Sequence, residues 1–204
     1  MDLESLNKLF LKISTYSAKL LPVVKNRSND EIKFLYDYGI RDFGENRIDD
    51  YEKHKNYFLD VNYHFIAPIQ SRKLKFISQN FDTIHTLQRK KEVDLLAKLQ
   101  AKNNIFLQIN IDNDINKSGL NVENLFYMFE YCLENSILPV GLMTIPNINS
   151  DPRKVFSKIS KLNETLKKDY PQYKGELSMG MSDDYQIALD YGATIVRIGT
   201  KLFK

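Results

Sequence analysis

Apolar positions along this chain switch repeatedly between two spacings. Leu3, Leu6, Phe10 and Ile13 recur on one side of a helical wheel, which predicts an amphipathic opening helix from Leu3 to about Leu20. Short apolar runs then alternate with helical stretches. "LLPVV" predicts a first strand, and "NDEIKFLYDYG" a helix that Gly39 ends. "IRDFGEN" predicts a second strand, followed by the helical "RIDDYEKHKNYF". "NYHFIAP" and "DTIHTL" predict the third and fourth, each followed by a helical stretch, "SRKLKFISQNF" and "KKEVDLLAKLQAK". "NIFLQINI" carries the strongest strand pattern, and "NVENLFYMFEYCLENS" is its helix. "LPVGLMTIP" with "PRKVFSKISKLNETLKKDY", "GELSMGM" with "SDDYQIALDYG", and finally "ATIVRIGT" complete eight strands.

Strands alternating with helices predict parallel pairing through right-handed crossovers. A count of eight predicts an α/β fold of the (β/α)8 TIM-barrel type, here with an extra N-terminal helix. Such barrels run to ~250 residues, with ~200 as the lower bound, so a chain of 204 residues is a minimal one. A doubly wound open sheet is the alternative. No low-complexity linker interrupts the pattern, and residues 1–204 are read as a single domain.

Composition narrows the function classes. A net charge of +3, spread without a Lys/Arg block, does not point to nucleic acid. The single cysteine, Cys132, excludes a disulfide framework and a cysteine zinc site, and its helical setting reads as core. The N-terminus carries early acids and lacks the apolar stretch of a signal peptide, and no segment is long enough to span a membrane. A cytoplasmic protein is expected.

Barrel chemistry sits at the C-terminal ends of the strands. Lys25 follows "LLPVV" there, either as a lysine snorkelling at a strand exit or as a desolvated amine able to form a Schiff base with a carbonyl. Arg197 closes "TIVR" and is either an ion-pair partner or faces a ligand in the barrel mouth. "SMGMS" and "RIGT" lie on the last two strands, whose loops commonly bind phosphate. Gly199, Thr200 and Ser182 could serve an anion, although Ser182-Asp183-Asp184 also reads as an ordinary helix cap. Asn46 lies at the second strand exit and could cap the next helix, while His64 and His85 read as satisfied core residues. His54, on a charged helix, is expected to be solvated. The histidines lack metal-ligand spacing, and no metal is proposed.

Several stretches carry a family resemblance: "VVKNRSNDEIKFLYDYGIRDFGENRIDDY", "YHFIAPIQSRKLKFI", "FLQINIDNDINKSGL", "GLMTIP" and "LSMGMSDDYQIALDYGATIVRIGT". In this order they resemble the pyridoxal phosphate homeostasis proteins, relatives of the N-terminal barrel of alanine racemase. The resemblance implies that pyridoxal 5′-phosphate (PLP) is the cofactor and that Lys25 is its Schiff-base lysine. It implies that Arg197 meets the pyridine nitrogen. Ser182, Gly199 and Thr200 match the phosphate cradle, with Ser178 beside them, and Asn46, His64 and Met143 match positions near the cofactor. The chain departs from the family at Asn26 after the lysine, at Ala67 and Arg72, and in the four residues that follow "RIGT".

The resemblance implies a PLP-binding protein of intracellular PLP homeostasis without dedicated turnover. The alternative is a PLP-dependent racemase. That reaction needs a second base, which alanine racemase takes from an extra β domain that is not expected here. A Schiff-base aldolase would need an acid or base beside Lys25, and none stands out. A monomer is expected, with PLP-dependent apoenzymes as possible recipients.

Overall fold

The computed structural model describes residues 3–203, so Met1, Asp2 and Lys204 of the expected domain lie outside the described residues. Helix α1 (Leu3–Ser14) buries Leu6, Leu9 and Ile13. It ends earlier than the periodicity predicts, because Ser17 adopts φ 56° and turns the chain into β1 (Lys19–Pro22). There follow α2 (Asn29–Asp37), β2 (Asp42–Glu45), α3 (Ile48–His54), β3 (Asn62–Phe65), α4 (Leu74–Asn80), β4 (Thr83–Leu87), α5 (Lys90–Lys98) and β5 (Asn104–Asn110). A two-residue strand β6 (Leu120–Asn121) pairs only with β5; then come α6 (Leu125–Glu134), β7 (Gly141–Met143), α7 (Pro152–Asp169), β8 (Glu176–Ser178), α8 (Tyr185–Asp190) and β9 (Ile195–Ile198).

The eight main strands are all parallel, in the order β1-β9-β8-β7-β5-β4-β3-β2. Two ends of this path meet. A bridge between Val23 and Gly44, with Val24 N–H donating to the Gly44 carbonyl at 3.0 Å, brings β1 against β2. The eightfold alternation therefore folds into a nearly closed barrel with helices outside, and the open-sheet alternative does not hold.

Strand alternation divides the side chains into two layers. Phe43, Tyr63, Phe65, Ile84, Leu107, Val196 and Ile198 belong to the large core between strands and helices. The barrel interior holds a smaller apolar cluster of Leu21, Phe106, Val140, Met143 and Ile195, closed above by Ile66 and Ile145. Interior positions also carry His64, His85, Ser178 and Arg197, all buried.

Local sequence fixes the loops above the barrel. Ser28 caps α2: its Oγ accepts from Glu31 N–H at 3.3 Å, and the Glu31 carboxylate accepts from Ser28 N–H at 2.9 Å. Pro152 follows the Asp151 cap at the start of α7. Gly180, at φ +91°, makes the turn from β8 toward α8 where a side chain would collide: a Cβ there would stand 2.6 Å from Ala188 Cβ.

Candidate functional site

A cleft of about 450 Å³ opens at the C-terminal ends of β1, β2 and β9. Lys25, Asn46, Ser182, Arg197, Gly199 and Thr200 all line it, so six of the nine expected site residues meet in one place. Val23, Ile66, Ile145 and Met181 supply apolar wall, and among the described residues Asp183 is the only carboxylate on the lining.

Lys25 is exposed, in the turn that follows β1. Asn26 shapes that turn with φ 57°, a conformation asparagine tolerates better than most residues. The Asn26 N–H donates to Asp50 Oδ2 at 3.2 Å, which ties the turn to α3. Arg27 N–H returns to the Val24 carbonyl at 3.1 Å, and the Arg27 guanidinium lies over the Phe203 ring. The lysine is thus carried on a turn anchored at both ends.

Arg197 answers the alternative left open by the sequence. It makes no ion pair within 4 Å among the described residues. Its Nη1 donates to Ser178 Oγ at 2.7 Å and its Nη2 to the Thr144 carbonyl at 3.0 Å. Burial pulls its pKa down to about 10, with Asp184 opposing, so it stays charged at neutral pH. Two of its five N–H donors are engaged, and the rest can meet an acceptor in the cleft.

The expected helix cap falls two residues later than Ser182. Asp184 precedes α8 and accepts from Met181 N–H at 2.6 Å, while Ser182 Oγ accepts from Lys201 N–H at 3.3 Å. Ser182 and Thr200 therefore stand on two neighbouring loops that edge the cleft. Asn46 does not cap α3, whose cap residue is Arg47; its Oδ1 is buried with no hydrogen-bond partner. A buried acceptor without a donor is costly in isolation, and it fits a ligand that brings one.

His64, Ser178 and Met143 lie beneath the cleft. His64 and Ser178 belong to a hydrogen-bonded series with His85, and Met143 is part of the interior apolar cluster.

His54 is a correction. It is 2% exposed, with Nδ1 2.7 Å from Asn29 Oδ1. The charged composition of "RIDDYEKHKNYF" hides an inward face made of Asp50, Tyr51 and His54. Opposite His54 lies Glu45, fully buried, its pKa raised to about 8 by burial and then by Asp50. Sequence reading passed over Glu45, although alternation in "DFGE" puts it on the helix-facing side with Phe43.

A second cavity, about 480 Å³, lies at the N-terminal mouth and is lined by α1 residues with Lys19, Arg41 and Asp42. Among the described residues there is no cluster of potential metal ligands and no helix long and apolar enough to cross a membrane.

The model of the family "Alanine racemase, N-terminal domain" matches residues 2–204. The pyridoxal phosphate homeostasis protein of Aquifex aeolicus (strain VF5) is 39% identical over 198 residues, covering 91% of this chain and 86% of that protein. Among solved structures, PipY of Synechococcus elongatus PCC7942 without PLP superposes with a TM-score of 0.89 at 28% identity, covering 98% of this chain and 99% of that one. The same protein with PLP bound gives 0.87 at 26% identity and the same coverage.

Proposed function

As the chain belongs to the alanine racemase N-terminal domain family, we propose that it binds pyridoxal 5′-phosphate in the C-terminal cleft and serves PLP homeostasis as a carrier. The observation that carries this reading is the convergence of Lys25, Arg197, Ser182 and Thr200 on one cleft. Its volume lies within the ~300–1,000 Å³ of ordinary small-molecule sites. The relative from Aquifex aeolicus bears the homeostasis name, and PipY has been seen with PLP.

The donor set suits the group. PLP offers an aldehyde, a pyridine nitrogen and a phosphate. Lys25 would hold the aldehyde through its amine. Arg197 would donate to the ring nitrogen, and as a guanidinium can only donate, it would keep that nitrogen unprotonated. Ser182 and Thr200 give hydroxyls to the phosphate, with bare backbone at Gly199 between β9 and Thr200. Asn46 accepts from the ring's substituents, Met143 backs the wall, and His64 and Ser178 act through Arg197.

A carrier role rather than turnover is supported by two features of the cleft. Lys25 is exposed, so the bond it would hold is open to exchange with other amines. No tyrosine or histidine lines the cleft among the described residues, so a second base for racemisation is not at hand. We place the protein in the cytoplasm, as a monomer delivering PLP to apoenzymes.

The test is visible absorbance of protein incubated with PLP, then borohydride reduction and peptide mapping. A yellow protein whose adduct maps to Lys25, and a colourless Lys25→Ala variant, are expected. A protein that stays colourless overturns the reading. Alanine racemisation approaching ~1 per second, the low end of ordinary turnover, overturns the carrier role.

A further inference from the structure

A polar thread crosses the apolar barrel interior. Arg197 Nη1 lies 2.7 Å from Ser178 Oγ, Ser178 Oγ 2.8 Å from His85 Nδ1, His85 Nε2 2.9 Å from His64 Nδ1, and His64 Nε2 3.0 Å from Asp42 Oδ1. One end is in the C-terminal cleft. The other, Asp42, lines the cavity at the N-terminal mouth.

The chemistry of the two ends sets a direction. A guanidinium only donates, and an ionised carboxylate only accepts. The hydrogen bond from His64 holds the Asp42 carboxyl below its usual range, so it is the acceptor end. Ser178 accepts from Arg197 and gives its single O–H to His85 Nδ1. His85 then carries its hydrogen on Nε2 and gives it to His64 Nδ1. His64 carries its own on Nε2 and gives it to Asp42. Every link has one donor and one acceptor, and both imidazoles are neutral. In the reversed order His64 carries two N–H groups, and Ser178 accepts from both sides. Its hydroxyl hydrogen then has no place in the thread, at a fully buried position.

Packing holds the thread in place. The His85 ring stacks on Phe106 with centroids 4.5 Å apart and planes 8° from parallel. Burial first, then His64 and Arg197 nearby, keep His85 well below the ordinary histidine range. The charged groups that face the thread are Lys19 beside Asp42 at the mouth and Asp184 beside Arg197 at the cleft.

We propose that Asp42, His64 and His85 are positioning residues for the ligand site, gripping Arg197 from behind through Ser178 and coupling it to the opposite mouth of the barrel. This rests on the reading that Arg197 meets the pyridine nitrogen of PLP. The thread removes the freedom of the Ser178 hydroxyl to compete for that nitrogen. It also makes the donor strength of Arg197 depend on the acceptor that residue 42 offers His64 at the far end.

Two measurements test it. In the apo protein at neutral pH, two-bond 1H–15N imidazole correlations should show His64 and His85 both as neutral Nε2–H tautomers. An Nδ1–H tautomer or an imidazolium at His85 overturns the one-way thread, whether or not PLP binds. In the PLP-loaded protein, Asp42→Ala should weaken PLP roughly three- to tenfold, the scale of one lost hydrogen bond. It should also shift the pH profile of the bound absorbance band, and Asp42→Asn, which keeps an acceptor for His64, should restore both. If Asp42→Ala lowers only the melting temperature, the thread is scaffolding and the proposal falls. Wild-type protein that takes up no PLP overturns the cofactor reading and the ligand half of this proposal together, and the tautomers still decide the direction of the thread.

Discussion

Glu45 Oε1 stands 3.7 Å from His54 Nε2 in the wall behind the cleft, and neither atom has a hydrogen-bond partner. The His54 Nδ1–H donates to Asn29 Oδ1, so Nε2 presents a lone pair. A charged carboxylate would face that lone pair with nothing between. A proton on Glu45 removes the conflict, and burial favours the same outcome by raising Glu45 to about 8.

This pair sets a pH dependence. Between the ordinary carboxylate range and about 8 the native state keeps a proton that the unfolded chain has lost. The unfolded state then binds fewer protons, and stability falls as pH rises through that window, by at most about 1.4 kcal/mol per pH unit. Glu45→Gln cannot ionise, and its amide can donate to His54 Nε2. Thermal melting from pH 5 to 9 should show the variant gaining on wild type by on the order of a few kcal/mol at the alkaline end. Parallel curves would mean that Glu45 does not hold the proton.

The two hydroxyls at the cleft edge give a second expectation. Ser182→Ala with Thr200→Ala should weaken PLP by roughly tenfold or more, as two hydrogen bonds to a charged group are lost. Unphosphorylated pyridoxal, which has no such group, should change little. Equal loss for both compounds, measured by absorbance titration, would take the phosphate away from these loops.

Cys132 should be silent in the folded protein. It is fully buried, and burial raises its thiol to about 12, far from the thiolate that reacts. Labelling by a coloured disulfide reagent should follow the rate of unfolding and accelerate in denaturant. Rapid labelling of native protein would contradict this packing.

Gly180 gives a stability prediction. Alanine there must hold φ +91° and stand 2.6 Å from Ala188 Cβ and 3.0 Å from Tyr185 Cα. The backbone cost and the overlap together should remove about 2–4 kcal/mol, seen as a lowered melting temperature. A variant as stable as wild type would show that the turn can be rebuilt.

Much of this was legible in the sequence. The eightfold alternation led to the barrel, and reading the strand ends led to Lys25, Ser182, Arg197 and Thr200, which do meet in one cleft. The thread was legible in part. His64, Ser178 and Arg197 each sit between apolar neighbours on their strands, and His85 between Ile84 and Thr86, but a single strand does not tell which side faces the interior. Asp42 lies inside the predicted strand "IRDFGEN" without standing out, and only the β2–β3 register sets it near His64. His54 was misread because its helix is charged on every side in sequence. Glu45 was missed because a glutamate with no partner is not what local pattern predicts.

The joint between β1 and β2 has one more consequence. Here the described pairing is the Val23–Gly44 bridge with its Val24 N–H bond, which closes the ring of strands. Lys25 rises from one lip of this joint and Asn46 from the other, so a molecule held by both would act as a suture across the closure of the barrel. At a hundredfold excess over its Kd, a bound ligand stabilises the native state by about 2.7 kcal/mol. The seam is where that gain should concentrate, as slowed hydrogen exchange at Val24 and its flanks. On that reading the fold would report its own occupancy, exchanging faster at this joint when empty than when loaded.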